Sequence, residues 1–243
     1  MNAAPLLRAR HLEARYGAAQ VLFGVDLDLH AGEVVALLGR NGAGKSTTMK
    51  AIMGLIEQRS GDISFCGRQI SAARPHHIAR LGLGYVPEDR RIFSDLTVLE
   101  NLEVGRRPAR LGADGRAMQA WTPERLFALF PNLAEARHRA AGRISGGEQQ
   151  MLAVARTLMG NPIAILLDEP SEGVAPAIVD QMTDMILALK GAGAAILLAE
   201  QNLAFAALVA ERAYVLERGE IRFEGAMRQL REDDALRRAY LEF

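Results

Sequence analysis

The chain has 243 residues, with 29 Lys and Arg balanced by 29 Asp and Glu, and a single cysteine. That length holds one large α/β domain or two small ones, and the balanced charge gives no basic excess of the kind a nucleic-acid surface shows. One cysteine excludes an internal disulfide and a paired-cysteine metal site, so Cys66 is expected to pack in a strand.

In chain order, residues 1–8 lack a basic start followed by an apolar stretch, so no secretory signal is expected and the chain is expected to stay in the cytoplasm. Residues 6–15, 21–29 and 61–65, with a turn at 66–68, read as short strands of an antiparallel layer. Residues 33–38 form an apolar strand, and residues 46–55 carry a helical pattern. Between these two lie Gly39, Arg40, Asn41, Gly42, Ala43, Gly44, Lys45 and Ser46, which fit the phosphate-binding pattern GxxxxGK[ST] at every fixed position. The glycines let backbone N–H groups converge on phosphate oxygens, Lys45 reaches the β and γ phosphates, and the Ser46 hydroxyl can ligate Mg²⁺.

Residues 89–159 are mostly helical. Thr97 and Glu100 make a capping box for a helix running to Val104, and Pro123 suits the first turn of another ending at Phe130. Residues 106–116, with Pro108, Gly112 and Gly115, read as a mobile surface connection. Ser145 caps a helix that runs to Leu158, and Gly146 and Gly147 permit close approach to a helix start that favours anions.

Residues 163–167 form an apolar strand that ends in Asp168 and Glu169. Neighbouring strand residues point to opposite sides, so the two carboxylates divide the work. Asp168 is assigned to Mg²⁺, and Glu169 to orienting or deprotonating the attacking water. The apolar runs 34–38, 163–167 and 194–199 fall far short of the roughly 20 residues that cross a bilayer. Residues 226–243 read as a packed amphipathic terminal helix.

The segment Ile144, Ser145, Gly146, Gly147, Glu148 resembles the LSGGQ signature of ABC ATPases, and its place after the phosphate loop and before the Asp-Glu strand is that family's order. The resemblance implies an α/β P-loop NTPase fold: a RecA-like parallel core with an antiparallel β layer (residues 1–88 and 160–243) and an inserted helical subdomain (residues 89–159). It implies ATP and Mg²⁺ as cofactors and a head-to-tail pair of domains, each ATP lying between the phosphate loop of one and the signature of the other. Tyr16 then stacks on adenine, residues 39–46 with Thr47 hold the phosphates, and Ser145, Gly146, Gly147 and Glu148 face the paired site's nucleotide.

Three positions depart from the common pattern. Glu88 follows Pro87 where most members place a glutamine that touches Mg²⁺ and the attacking water. Gln201 stands in place of a histidine on the γ-phosphate, and a neutral amide stabilises developing charge less well. Ala175 replaces the aspartate that commonly ends the loop after Glu169. Glu88 remains an oxygen donor for metal, beside Ser46 and Asp168.

The runs 85–93, 145–152 and 200–202 look like one ATPase subunit of bacterial branched-chain amino acid importers. This implies an ATP-hydrolysing subunit peripheral to the cytoplasmic face of the inner membrane. Its partners would be two permease proteins, a second related ATPase or another copy of this chain, and indirectly an extracytoplasmic solute-binding protein. No nucleic acid is expected. The same role for another solute (urea, amides or aromatic acids) and a soluble non-transport ATPase are the alternatives. Departures at Glu88, Gln201 and Ala175 favour a heterodimer in which this chain's own phosphate loop turns over slowly.

Overall fold

The computed structural model describes residues 4–111, 115, 119–233, 235, 237 and 238. Two sheets organise it. Strands β1 (Leu7–Tyr16), β2 (Ala19–Leu29), β4 (Gln58–Phe65) and β5 (Arg68–Gln69) form an antiparallel layer in the order β2-β1-β4-β5. Strands β3 (Val34–Leu38), β6 (Leu83–Val86), β7 (Ala164–Asp168), β8 (Ala195–Glu200), β9 (Arg212–Glu217) and β10 (Glu220–Ala226) form the second sheet, ordered β10-β9-β3-β8-β7-β6. Its pairings are parallel except at the β9–β10 hairpin.

β3, β7 and β8 are buried along their whole lengths, as expected of parallel strands covered on both faces. Alternation sends Val35 and Leu37 into the core shared with the antiparallel layer, and Val34, Ala36 and Leu38 into the helical core on the other side. Helix α1 (Lys45–Ile52) lies between the two sheets, burying Met49, Ala51 and Ile52 in the first of those cores.

Helix α2 (Pro75–Leu81) precedes β6, and α3 (Val98–Gly105), α4 (Pro123–Leu129), α5 (Pro131–Glu135) and α6 (Gly146–Leu158) all lie between β6 and β7. Thr97 caps α3 through the reciprocal box with Glu100, Pro123 opens α4, and Ser145 caps α6 in a second box with Glu148. α3 and α6 approach so closely that a Cβ on Gly105 would sit 2.2 Å from the Arg156 carbonyl oxygen. Helices α7 (Pro176–Gly191), α8 (Leu203–Val209) and α9 (Met227–Glu232) complete the fold.

This is the expected α/β architecture, a parallel core beside an antiparallel layer with helices inserted, and some local readings change. Cys66 does not pack in a strand: it is exposed in the turn after β4, with φ of 49°, because the chain must reverse there to reach β5. β9 and β10 extend the sheet beyond the alternation read from the sequence. Of the connection at 106–116, positions 112–114 and 116 lie outside the described residues, and Arg110 ties the rest down by donating to the carbonyls of Arg80, Ala79 and Gly160. Of the terminal helix, Met227 and Leu230 are buried, and residues 234, 236 and 239–243 lie outside the described residues.

Candidate functional site

Parallel register brings the ends of three strands level. Leu38, the last residue of β3, pairs with Glu200 of β8, and Ala199 beside it pairs with Asp168 of β7. The loop after β3 therefore opens beside the carboxylates that end β7, at the carboxyl edge of the sheet where α/β proteins bind ligands. Gly39 is obligatory here, because a Cβ would meet the Leu216 carbonyl oxygen at 2.4 Å. Gly44 turns the chain into α1 at φ 112°, a conformation that side chains rarely adopt.

Lys45 is only 3% exposed. Its ammonium donates to the carbonyls of Gly39 (2.7 Å) and Arg40 (3.1 Å), and pairs with Glu169 Oε1 at 3.0 Å. One residue along each element, the Ser46 hydroxyl donates to Asp168 Oδ1 at 2.8 Å. The other Asp168 oxygen accepts from the Tyr85 hydroxyl at 2.9 Å. Burial pushes the Asp168 carboxyl above its ordinary range, against the opposing effect of these two hydroxyls. Burial, and then the Asp168 charge, raise the Tyr85 phenol well above its usual value, keeping it a neutral donor. Ser46 and Asp168 thus present adjacent hard oxygens at the phosphate loop, a donor set that suits Mg²⁺.

Glu169 is 7% exposed and holds a left-handed backbone, φ 48°, fixed by donation from its N–H to the Ala199 carbonyl at 3.0 Å. Such a conformation costs on the order of 1 kcal/mol in a residue other than glycine and marks a position held by its surroundings. Glu172, which the sequence reading did not single out, lies in the same loop and is pushed up to about 7. Hydrogen bonding to Glu169 is the largest cause, followed by burial and by the charges of Glu169 and Glu88. Glu88 is exposed and within electrostatic reach of this pair.

Glu200, also missed, is buried and accepts from the N–H groups of Ser171 (3.0 Å) and Asn202 (3.3 Å). Burial raises its carboxyl, and its two acceptor bonds staple the loop after Glu169 to the turn carrying exposed Gln201. Tyr16 ends β1 and is 51% exposed, Thr47 is half-buried in α1, and Arg40, Asn41 and Gly42 are exposed on the loop, whereas Ala43 is buried.

Ser145, Gly146, Gly147 and Glu148 stand apart from this cluster, and no hydrogen bond or ion pair among the described residues joins them to the phosphate loop. The Glu148 carboxylate accepts from the Ser145 N–H at 2.7 Å, and the Ser145 hydroxyl accepts from the Glu148 N–H at 3.3 Å. A Cβ on Gly146 would lie 2.9 Å from an Arg90 guanidinium nitrogen, and one on Gly147 would lie 2.6 Å from Ile178 of α7. Gly147 is therefore needed for packing against α7, whereas at Gly146 only the mobile end of Arg90 stands in the way.

The family model of the ABC transporter matches residues 22–172. The high-affinity branched-chain amino acid transport ATP-binding protein BraG of Pseudomonas aeruginosa is 41% identical over 226 residues, covering 93% of this chain and 95% of that protein. The lipopolysaccharide export system ATP-binding protein LptB of Haemophilus influenzae is 36% identical over 237 residues, covering 97% of each. The crystal structure of a nucleotide-free ATP-binding cassette from an ABC transporter superposes with a TM-score of 0.79 at 27% identity, covering 96% of this chain and 97% of that one.

Proposed function

The chain belongs to the ABC transporter family, and we propose that within it this is the ATP-hydrolysing subunit of a branched-chain amino acid importer. The observation that carries the ATPase chemistry is the convergence of Lys45 with Glu169 and of Ser46 with Asp168 at one end of the parallel sheet. The importer assignment rests on the runs 85–93 and 200–202 together with the 41% identity to BraG.

In this reading residues 1–88 and 160–243 form the nucleotide-binding core and residues 89–159 the helical part that carries the signature. Tyr16 stacks on adenine, backbone N–H groups of residues 39–47 cradle the phosphates, and Lys45 turns its ammonium to the β and γ oxygens. Ser46 and Asp168 would hold Mg²⁺, with Glu88 as a further oxygen donor, and the ion would supply positive charge beside the phosphates. Glu169 accepts a proton from water as the water oxygen bonds to the γ-phosphorus and the bond to ADP breaks. Gln201 donates its amide to the γ-phosphate.

Ser145, Gly146, Gly147 and Glu148 complete the site of a paired ATPase domain, a second related protein or another copy of this chain. ATP draws the pair together, closure rearranges two permease proteins, and hydrolysis resets them. Ile92 packs against the helical core and Phe93 is 47% exposed beside it, and these two would receive the permeases on the cytoplasmic side of the membrane. No helix among the described residues is long and apolar enough to cross a membrane, which suits a peripheral subunit.

The test is to tag the chain, purify it from gently solubilised native membranes with ATP and Mg²⁺, and identify what accompanies it. Two polytopic proteins, a second ATPase and a binding protein that takes leucine, isoleucine or valine are expected. Recovery with lipopolysaccharide-export permeases, with a binding protein for another solute, or with no membrane partner would overturn the assignment.

A further inference from the structure

Between α5, the first turns of α6 and the middle of α7 lies a cavity of about 250 Å³. Its floor is apolar, built from buried Phe130, Leu133, Met151 and Met185. Its polar lining includes two carboxylates, Glu148 and Asp184, and none of the described residues lining it is Lys, Arg or His. Asn132 of α5 and Gln181 of α7 meet across it at 3.5 Å, so its walls come from two separate parts of the fold.

The chemistry of the lining selects an occupant. Asp184 has no hydrogen bond or ion pair among the described residues, and Glu148 is half-buried with one carboxylate oxygen engaged by the Ser145 N–H. Two carboxylates without a cation at the edge of an apolar floor attract a positive charge and repel a negative one. The volume falls below the roughly 300–1,000 Å³ of sites for drug-sized molecules, which restricts the occupant to a small one. Two methionines on the floor let it adapt to branched or straight chains. Glu148 stands where the LSGGQ pattern has a neutral glutamine, so part of this charge is a feature of this chain.

We propose that this cavity is a binding site for a small apolar monoamine without a carboxylate, its ammonium between Glu148 and Asp184 and its alkyl body over Leu133, Met151 and Met185. The ammonium shares Glu148 with the box that fixes the start of α6. An occupant therefore ties that first turn to α5 and α7, and links the amine to the geometry of the signature. The free branched-chain amino acids have the right alkyl body, and their carboxylates exclude them. The site stands on the lining alone and does not depend on which solute is transported.

Three probes with one alkyl skeleton separate these requirements: 3-methylbutylammonium, 3-methylbutan-1-ol and leucine. They are titrated into the full chain labelled with ¹³C at its methionine methyl groups, with signals assigned by single Met→Leu exchanges. The amine is expected to shift Met151 and Met185, of the nine methionines, with saturation in the millimolar range. The alcohol is expected to bind at least about fivefold more weakly, the scale of one partly exposed ionic contact, and leucine not to bind at those concentrations. Asp184→Asn, at an exposed helix position that leaves the fold intact, should weaken the amine about fivefold and leave the alcohol unchanged. Absence of selective shifts at Met151 and Met185 would overturn the site. Alcohol or leucine binding as tightly as the amine, or indifference to Asp184→Asn, would overturn its chemical class.

Discussion

The Lys45 ammonium and the Glu169 carboxylate meet at 3.0 Å where both are nearly closed to solvent. The ammonium also donates to the carbonyls of Gly39 and Arg40, whereas removing Lys45 takes from Glu169 its one ion-pair partner among the described residues and leaves a buried charge uncompensated. Lys45→Ala is therefore expected to weaken ATP binding by removing the proposed phosphate contact, and to destabilise the fold by about 3 kcal/mol. Adding Glu169→Gln should restore most of that stability and none of the ATP binding. Urea unfolding and nucleotide titration of the two variants check this; a double variant no more stable than Lys45→Ala would show that the pair is energetically idle.

Glu169→Gln keeps the shape and removes the proposed proton acceptor. ATP binding should survive, and hydrolysis at this chain's site should slow by about 10²- to 10⁴-fold. Single-turnover hydrolysis isolates the step. Loss of binding equal to that in Lys45→Ala would contradict the separate roles given to the two residues.

Glu172 carries a pH signature. Its carboxyl is pushed up to about 7 in the folded chain, above its ordinary value of 4.5, mainly by its hydrogen bond to Glu169. The native state then holds a proton that the unfolded chain has released across this window, so stability falls as pH rises from the ordinary carboxylate range through about 7. Midpoints of thermal unfolding should decline between those limits in the wild type, and Glu172→Gln should flatten the decline. An unchanged slope in the variant would assign the effect elsewhere.

Much of this was legible in the sequence because its signals are local. Residues 39–46 are contiguous, Asp168 and Glu169 are adjacent, the Thr97 and Glu100 box closes within four residues, and Ser145 caps the helix that follows it directly. What escaped was set by register across the sheet. Tyr85 reaches Asp168 because β6 pairs with β7, and Glu200 reaches Ser171 because β7 pairs with β8. Nothing in the spacing of those residues announces the contact. Glu172 escaped for a different reason: it lies only three residues after Glu169, in a turn that folds its carboxyl back onto the Glu169 carboxylate, and a carboxylate in a loop otherwise looks solvated. Cys66 was misjudged because β4 stops one residue before it, at Phe65, where the chain turns back towards β5.

Gln201 follows β8 and is exposed on a turn that Glu200 holds by accepting from the Asn202 N–H. The side chain is a neutral amide, which donates a hydrogen bond without the positive charge that histidine carries when protonated. If this chain's own phosphate loop turns over slowly for that reason, Gln201→His should raise hydrolysis in the assembled complex, by about tenfold if one charge-assisted contact replaces a neutral one. Exposure of the position makes the substitution benign to folding, so the wild-type unfolding midpoint is the control. Steady-state ATPase of the purified complex is the measurement. An unchanged rate would count against the slow-site reading and leave the heterodimer supported only by Glu88 and Ala175.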